Sequence, residues 1–116
     1  MNSVHLIGNL ATEVELRAVA DEKKVASFLL AVDRGSKDAG ADFLWITVWE
    51  RQAELCAEYL AKGGRVAVDG RLRSRTWEQD GKRRDAIDVV ARRVEFLSSG
   101  SRHRDEDAMP FEAVGA

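Results

Sequence analysis

Residues 50–64 read ERQAELCAEYLAKGG, and they interrupt a chain that elsewhere alternates with a period of two. Ala53, Cys56, Tyr59 and Leu60 recur at helical spacing, while Glu50, Arg51, Glu54, Glu58 and Lys62 fall mostly on the other side. This spacing predicts a helix over 50–62, ended by the Gly63-Gly64 pair. Immediately before it, DFLWITVW (42–49) is β-branched and aromatic, as a strand should be. Immediately after it, residues 65–78 return to strict alternation. One helix therefore sits between two strands.

Working outward adds three more strands. Residues 2–9 carry Val4 and Leu6 in one register and Ser3, His5 and Ile7 in the other. VASFLLAVD (25–33) is a nearly continuous apolar run suited to a buried strand, and the polar, glycine-bearing RGSKDAGA after it reads as a hairpin loop. Asp80-Gly81 signals a tight hairpin, followed by a last strand over 84–97 through Ile87, Val89, Val94 and Phe96. A shift of its apolar register near Val90 predicts a bulge. The helix thus falls between the third and fourth of five strands. That order matches the all-β OB-fold, a small, partly open five-stranded barrel that binds oligonucleotides and oligosaccharides. Residues 1–97 form the expected domain. SSGSRHRDEDAMPFEAVGA (98–116) has no periodicity and little to bury, so it is expected to be a flexible acidic tail.

Composition narrows the function classes. The chain has 116 residues and 45% hydrophobic content, enough for one modest core. Cys56 is the single cysteine and cannot form an internal disulfide, which suits a reducing compartment. MNSVHLIGNL shows no leader features, and no apolar run approaches the ~20 residues needed to span a membrane. A cytoplasmic protein with no membrane association is expected. Net charge is −2, yet residues 1–97 hold 16 basic and 16 acidic side chains, so the excess negative charge lies in the tail. Where the charges point matters more than their sum.

Alternation across strands shows where they point. Over 43–49, Leu44, Ile46 and Val48 share one face; Phe43, Trp45, Thr47 and Trp49 share the other. Over 66–77, Val66, Val68, Gly70 and Leu72 read as inward, leaving Ala67, Asp69, Arg71, Arg73, Arg75 and Trp77 outward. An aliphatic face fills a barrel core and fixes register. The opposite faces need another use. A solvated basic strand or a subunit interface explains either face taken alone. Together, rings that stack on unpaired bases and guanidiniums that bind phosphates suit single-stranded nucleic acid, whose base faces are free.

Other chemistry has little support. Nothing brings His5 and Cys56 together as a base and nucleophile, and Cys56 lies on the apolar stripe of the helix. Two histidines and one cysteine far apart give no metal-ligand spacing, and Gly8 and Gly63-Gly64 make no phosphate loop. No catalytic residue, metal or cofactor is expected.

Five segments in order carry a family resemblance: MNSVHLIGNL followed by ELR, VASFLLAVDR, ADFLWITVWERQAE, EYLAKGGRVAVDGRLRSRTW and DGKRR. Over residues 2 to about 97 the chain resembles the bacterial single-stranded-DNA-binding protein family. The resemblance implies an OB-fold that assembles as a homotetramer and protects single strands in replication, recombination and repair, in the nucleoid. It carries the base-stacking aromatics onto Phe43, Trp49 and Trp77, and basic positions onto Arg51, Arg71, Arg73 and Arg75. Trp45 shares the aromatic face without a common aromatic counterpart in the family. The acidic tip that docks replication and repair proteins corresponds to DEDAMPF, with Asp105, Glu106, Asp107, Pro110 and Phe111 as the contact residues.

Three positions depart from the pattern. Glu13-Val14 stands where Asp-Pro is common, and Glu50 stands where glycine is common beside Trp49. EAVGA follows Phe111, so that phenylalanine lacks a terminal carboxylate and weaker docking is expected. An OB-fold adaptor of the replication machinery, working mainly through protein contacts, is the alternative reading. A small enzyme using Cys56 or His5 is a remote third.

Overall fold

A computed structural model describes residues 1–35 and 40–98. Its strands are β1 (Val4–Leu10), β2 (Glu15–Ala18), β3 (Lys24–Asp33), β4 (Ala41–Trp49), β5 (Arg65–Gln79) and β6 (Lys82–Ser98), with helix α1 (Glu50–Tyr59) between β4 and β5. The sheet runs β1-β5-β6-β4-β3-β2, and β1 also pairs β3 at Asn9↔Ala31 and Leu10↔Leu30. That second pairing closes β1, β3, β4, β5 and β6 into a five-stranded barrel, the OB-fold that the strand order predicts. Closure leans on one short parallel contact, where β4 meets β6 at Ile46↔Val89 and Thr47↔Val90 only.

The aliphatic faces do what alternation requires. Phe28, Leu30, Ile46, Val48, Val66, Val68 and Val89 are buried inside the barrel, and Ala53, Cys56 and Leu60 plug it from the helix side. Each large side chain so buried contributes roughly 1.5–3 kcal/mol. Gln52 pins α1 to the barrel, its amide donating to the Arg92 carbonyl at 2.7 Å and accepting from the Val94 N–H at 2.9 Å.

Four details differ from the sequence reading. The sixth strand, β2, is four residues long and exposed throughout, so it carries no periodic signal; it forms by pairing with β3. The helix stops at Tyr59, because Leu60 adopts extended backbone (φ −101°, ψ 146°) while remaining buried. The β5–β6 register steps twice, at Leu97 between Arg65↔Ser98 and Val66↔Phe96, and at Arg92, two residues from the expected bulge, between Asp69↔Arg93 and Gly70↔Ala91. Gly70 is required beside it, since a β-carbon there would strike the Val90 carbonyl oxygen. Finally, Leu72 is 43% exposed: it keeps the inward register opposite buried Val89, but the β1 pairing beside it reaches only as far as Gly70. From Arg73 onward, β5 and β6 pair only with each other among the described residues, as a two-stranded arm turned at Asp80 (φ 54°) and Gly81 (φ 76°) in the double positive-φ geometry of a tight hairpin.

Candidate nucleic-acid interface

The sheet order places β6 between β4 and β5, which makes one surface of the two faces singled out by alternation. On β4, Phe43, Trp45 and Trp49 are 59, 48 and 37% exposed, with Thr47 among them. Thr47 pairs with Val90 of β6, and Val90 pairs in turn with Arg71 of β5. Further along the arm, Arg73 faces Asp88, Arg75 faces Ala86 and Trp77 faces Arg84. Rings on one strand and cations with a ring on another thus line the same side of the barrel.

At the centre of this surface lies a residue that the sequence reading passed over. Asp88 is on the outer register of β6 yet only 3% exposed, because its neighbours cover it. Arg73 donates from Nε to Oδ1 at 3.1 Å and from Nη2 to Oδ2 at 2.8 Å, a two-bond fork. Arg75 Nε lies 3.5 Å from Oδ2, and the Thr47 hydroxyl donates to the same oxygen at 3.4 Å. Burial alone would raise the Asp88 pKa. The Arg73 hydrogen bonds, the charges of Arg73 and Arg75 and the Thr47 hydroxyl outweigh it, holding the carboxyl below its ordinary value.

The arginines are therefore not equivalent. Arg73 is committed to Asp88. Arg75 is shared, with its guanidinium carbon also 5.8 Å from the centroid of the Trp77 ring, near the outer limit for a cation–π contact. Arg71 is exposed and makes no ion pair among the described residues. Arg51, on the first turn of α1 beside Trp49, is exposed and loosely paired with Glu54 at 3.6 Å. Arg84, cross-strand from Trp77, is an exposed cation that the sequence reading assigned no role. Glu50 begins α1 at φ 60°, the left-handed region that favours glycine, and puts an exposed carboxylate next to Trp49.

Elsewhere the reactive candidates are separate. Cys56 is buried and burial pushes its thiol up to about 12, which leaves no thiolate for nucleophilic chemistry. His5, on the outer face of β1, pairs with Asp69 at 3.3 Å. Asp105, Glu106, Asp107, Pro110 and Phe111 lie outside the described residues.

An exposed row of rings beside a basic arm on an OB barrel is the shape of a single-strand reader, and comparison with known proteins decides the family. Residues 1–97 match the model of the single-strand binding protein family. The chain belongs to that family. Among its relatives are single-stranded DNA-binding protein 3 of Clostridium acetobutylicum, 43% identical over 93% of this chain and 78% of the relative, and the single-stranded DNA-binding protein of Bacillus cereus, 43% identical over 84% of this chain. The chain spans 60% of the length of the Bacillus protein. The single-stranded DNA-binding protein of Treponema pallidum is 35% identical over 92% of this chain. The three aromatics that the family resemblance marks, Phe43, Trp49 and Trp77, all fall on the shared surface, and Trp45 lies among them.

Proposed function

We propose that this chain is a non-catalytic protein that binds single-stranded DNA with little sequence preference, protecting it in replication, recombination and repair. Unpaired bases stack on Phe43, Trp45, Trp49 and Trp77, while Arg51, Arg71 and Arg75 meet the phosphates. The observation that carries this reading is the exposed ring row on β4, standing one strand away from the basic arm. In the alternative of a solvated face, three large rings would be left in water beside a core already filled from the other side of the same strand. Stacking is tolerant of sequence because every base has a π-face, a mode for which single-strand binding OB-folds are themselves the standard example.

The test is a titration of the full chain with oligo-dT, followed by intrinsic fluorescence. All three tryptophans lie on the proposed surface, so binding quenches them strongly. An unchanged signal at micromolar protein and excess oligonucleotide would remove the proposal.

The same reading extends to assembly and setting. Val4–Ile7 of β1 pair with β5 only, leaving the other edge of that stretch open, and Ile7 is exposed on its outer face. A homotetramer built from dimers would use this strand. Light scattering at micromolar concentration should report four chains, and a monomer would refute it. The acidic segment at Asp105–Asp107 with Pro110 and Phe111 has the chemistry to dock basic, apolar-floored pockets of replication and repair proteins. No helix among the described residues is long and apolar enough to cross a membrane, and a cytoplasmic, nucleoid-associated protein fits this role.

A further inference from the structure

The cluster around Asp88 does something that a row of free arginines cannot. Resting on the proposed binding of single strands, we infer that Asp88 makes Arg73 a fixed stacking plate for a base and withdraws its charge from the phosphates, leaving those to Arg71 and Arg75. Arg73 and Asp88 stand directly opposite each other on β5 and β6, and the fork between them uses Nε and Nη2, two in-plane corners of the guanidinium. A phosphate can no longer take that side-on edge. What remains is the Nη1 side with one Nη2 hydrogen, and the flat faces of a delocalised, weakly hydrated cation, which stacks well on aromatic rings.

Charge counting points the same way. Asp88 cancels one of the two charges of Arg73 and Arg75, and the two-bond fork puts that cancellation mainly on Arg73; a neutralised arginine displaces no counterion when a strand binds, whereas a free one does. Position supports the role as well. Thr47, the polar member of the β4 ring row, also reaches Asp88, and the register that sets Thr47 beside Val90 and Arg71 puts the Arg73–Asp88 pair further along the same surface, on the Trp45 side of Thr47. A planar group there continues the stacking surface from β4 towards Trp77. Asp88 never touches DNA in this arrangement. It is a positioning residue, and Thr47 supports it.

Salt titrations of oligo-dT binding, paired with an abasic strand of equal length, test the assignment. Arg73→Lys keeps the charge and the ion pair but loses the plate. It should bind oligo-dT on the order of tenfold more weakly, with an unchanged salt slope and wild-type affinity for the abasic strand. Arg71→Ala should instead lower the slope by roughly 0.7 on both strands. Asp88→Asn should weaken oligo-dT binding while steepening the slope, because the Arg73 charge is set free. If Arg73→Lys binds oligo-dT as the wild type does, or Asp88→Asn leaves the salt slope unchanged, the plate is wrong. Should Asp88→Asn fail to fold in a thermal melt, Arg73→Lys, with its ion pair retained, decides alone. A wild-type chain indifferent to oligo-dT would remove the single-strand reading itself, a separate outcome from wild-type binding with an indifferent Arg73.

Discussion

The aromatic face of β4 and the basic face of β5 share the same two-residue period, but they stand on different supports. Behind Phe43, Trp45 and Trp49 lie Leu44, Ile46 and Val48, packed into the barrel core. Behind Arg71, Arg73 and Arg75 lie Leu72, Ser74 and Thr76, all exposed. The rings are held by hydrophobic packing from below; the arginines are held sideways, by strand pairing with β6 and by Asp88. Alternation alone reports a face, and it does not report whether anything fills the space behind it. A packed platform and a hairpin arm meet at one surface.

The largest expected effect breaks that comparison directly. Ile46→Ala should cost about 2–5 kcal/mol of stability through the cavity it leaves in the core. Leu72→Ala, in the same kind of register at the base of the arm, should stay within about 0.5 kcal/mol. Urea melts of the two variants decide it. Comparable losses would mean that the underside of the arm is packed after all.

Binding comes next in size. Alanine at Trp49, on the platform, and at Trp77, on the arm, should each cost about 1–3 kcal/mol of affinity for oligo-dT. Fluorescence anisotropy with a labelled oligonucleotide measures this without relying on the tryptophans removed. Retained affinity in a folded double variant would sink the stacking model. A full loss at Trp49 with none at Trp77 would confine binding to the platform.

Asp88 links platform and arm, and its ionisation gives a third effect. Its carboxyl is held below the ordinary value near ~4 in the folded state. A depressed carboxylate contributes stability that is present above the unfolded-state pKa and lost as pH falls through the folded-state one. Melts from about pH 7 down to about pH 3 should therefore show the wild type losing stability faster than Asp88→Asn, since every other carboxylate is common to both. Parallel curves would show that the ion pair adds nothing to the fold.

Much of this was legible in the sequence because it follows from period. The strand order, the helix between β4 and β5, and the ring and arginine faces all rest on alternation against a 3.6 repeat. β2 was not legible, because a short exposed strand exists only through its partner. Leu72 misled because the inward register continues where the β1 pairing has stopped. Asp88 was missed although the means of finding it was present. A two-residue turn at Asp80-Gly81 fixes Gln79 opposite Lys82, and counting back along both strands places Arg73 opposite Asp88 and Trp77 opposite Arg84. What counting could not supply is the β4–β6 contact that brings Thr47 to the same carboxylate.

The smallest effect sits at the junction of platform and helix. Glu50 begins α1 at φ 60°, where a β-carbon crowds the backbone at a cost of roughly 1–2 kcal/mol. In an ordinary helix position glycine is less stable than alanine by about 0.5–1 kcal/mol. Here the sign should reverse. Glu50→Gly should be more stable than Glu50→Ala by about 1 kcal/mol, since both variants lose the same carboxylate and differ only in tolerance of positive φ. Their affinities for oligo-dT should match each other and slightly exceed the wild type at low salt, because each removes a negative charge beside Trp49. Chemical melts and salt-dependent binding separate the two consequences. Equal stability of the two variants would show that Glu50 carries no backbone strain, and affinity unchanged from the wild type would place its carboxylate off the path of the strand.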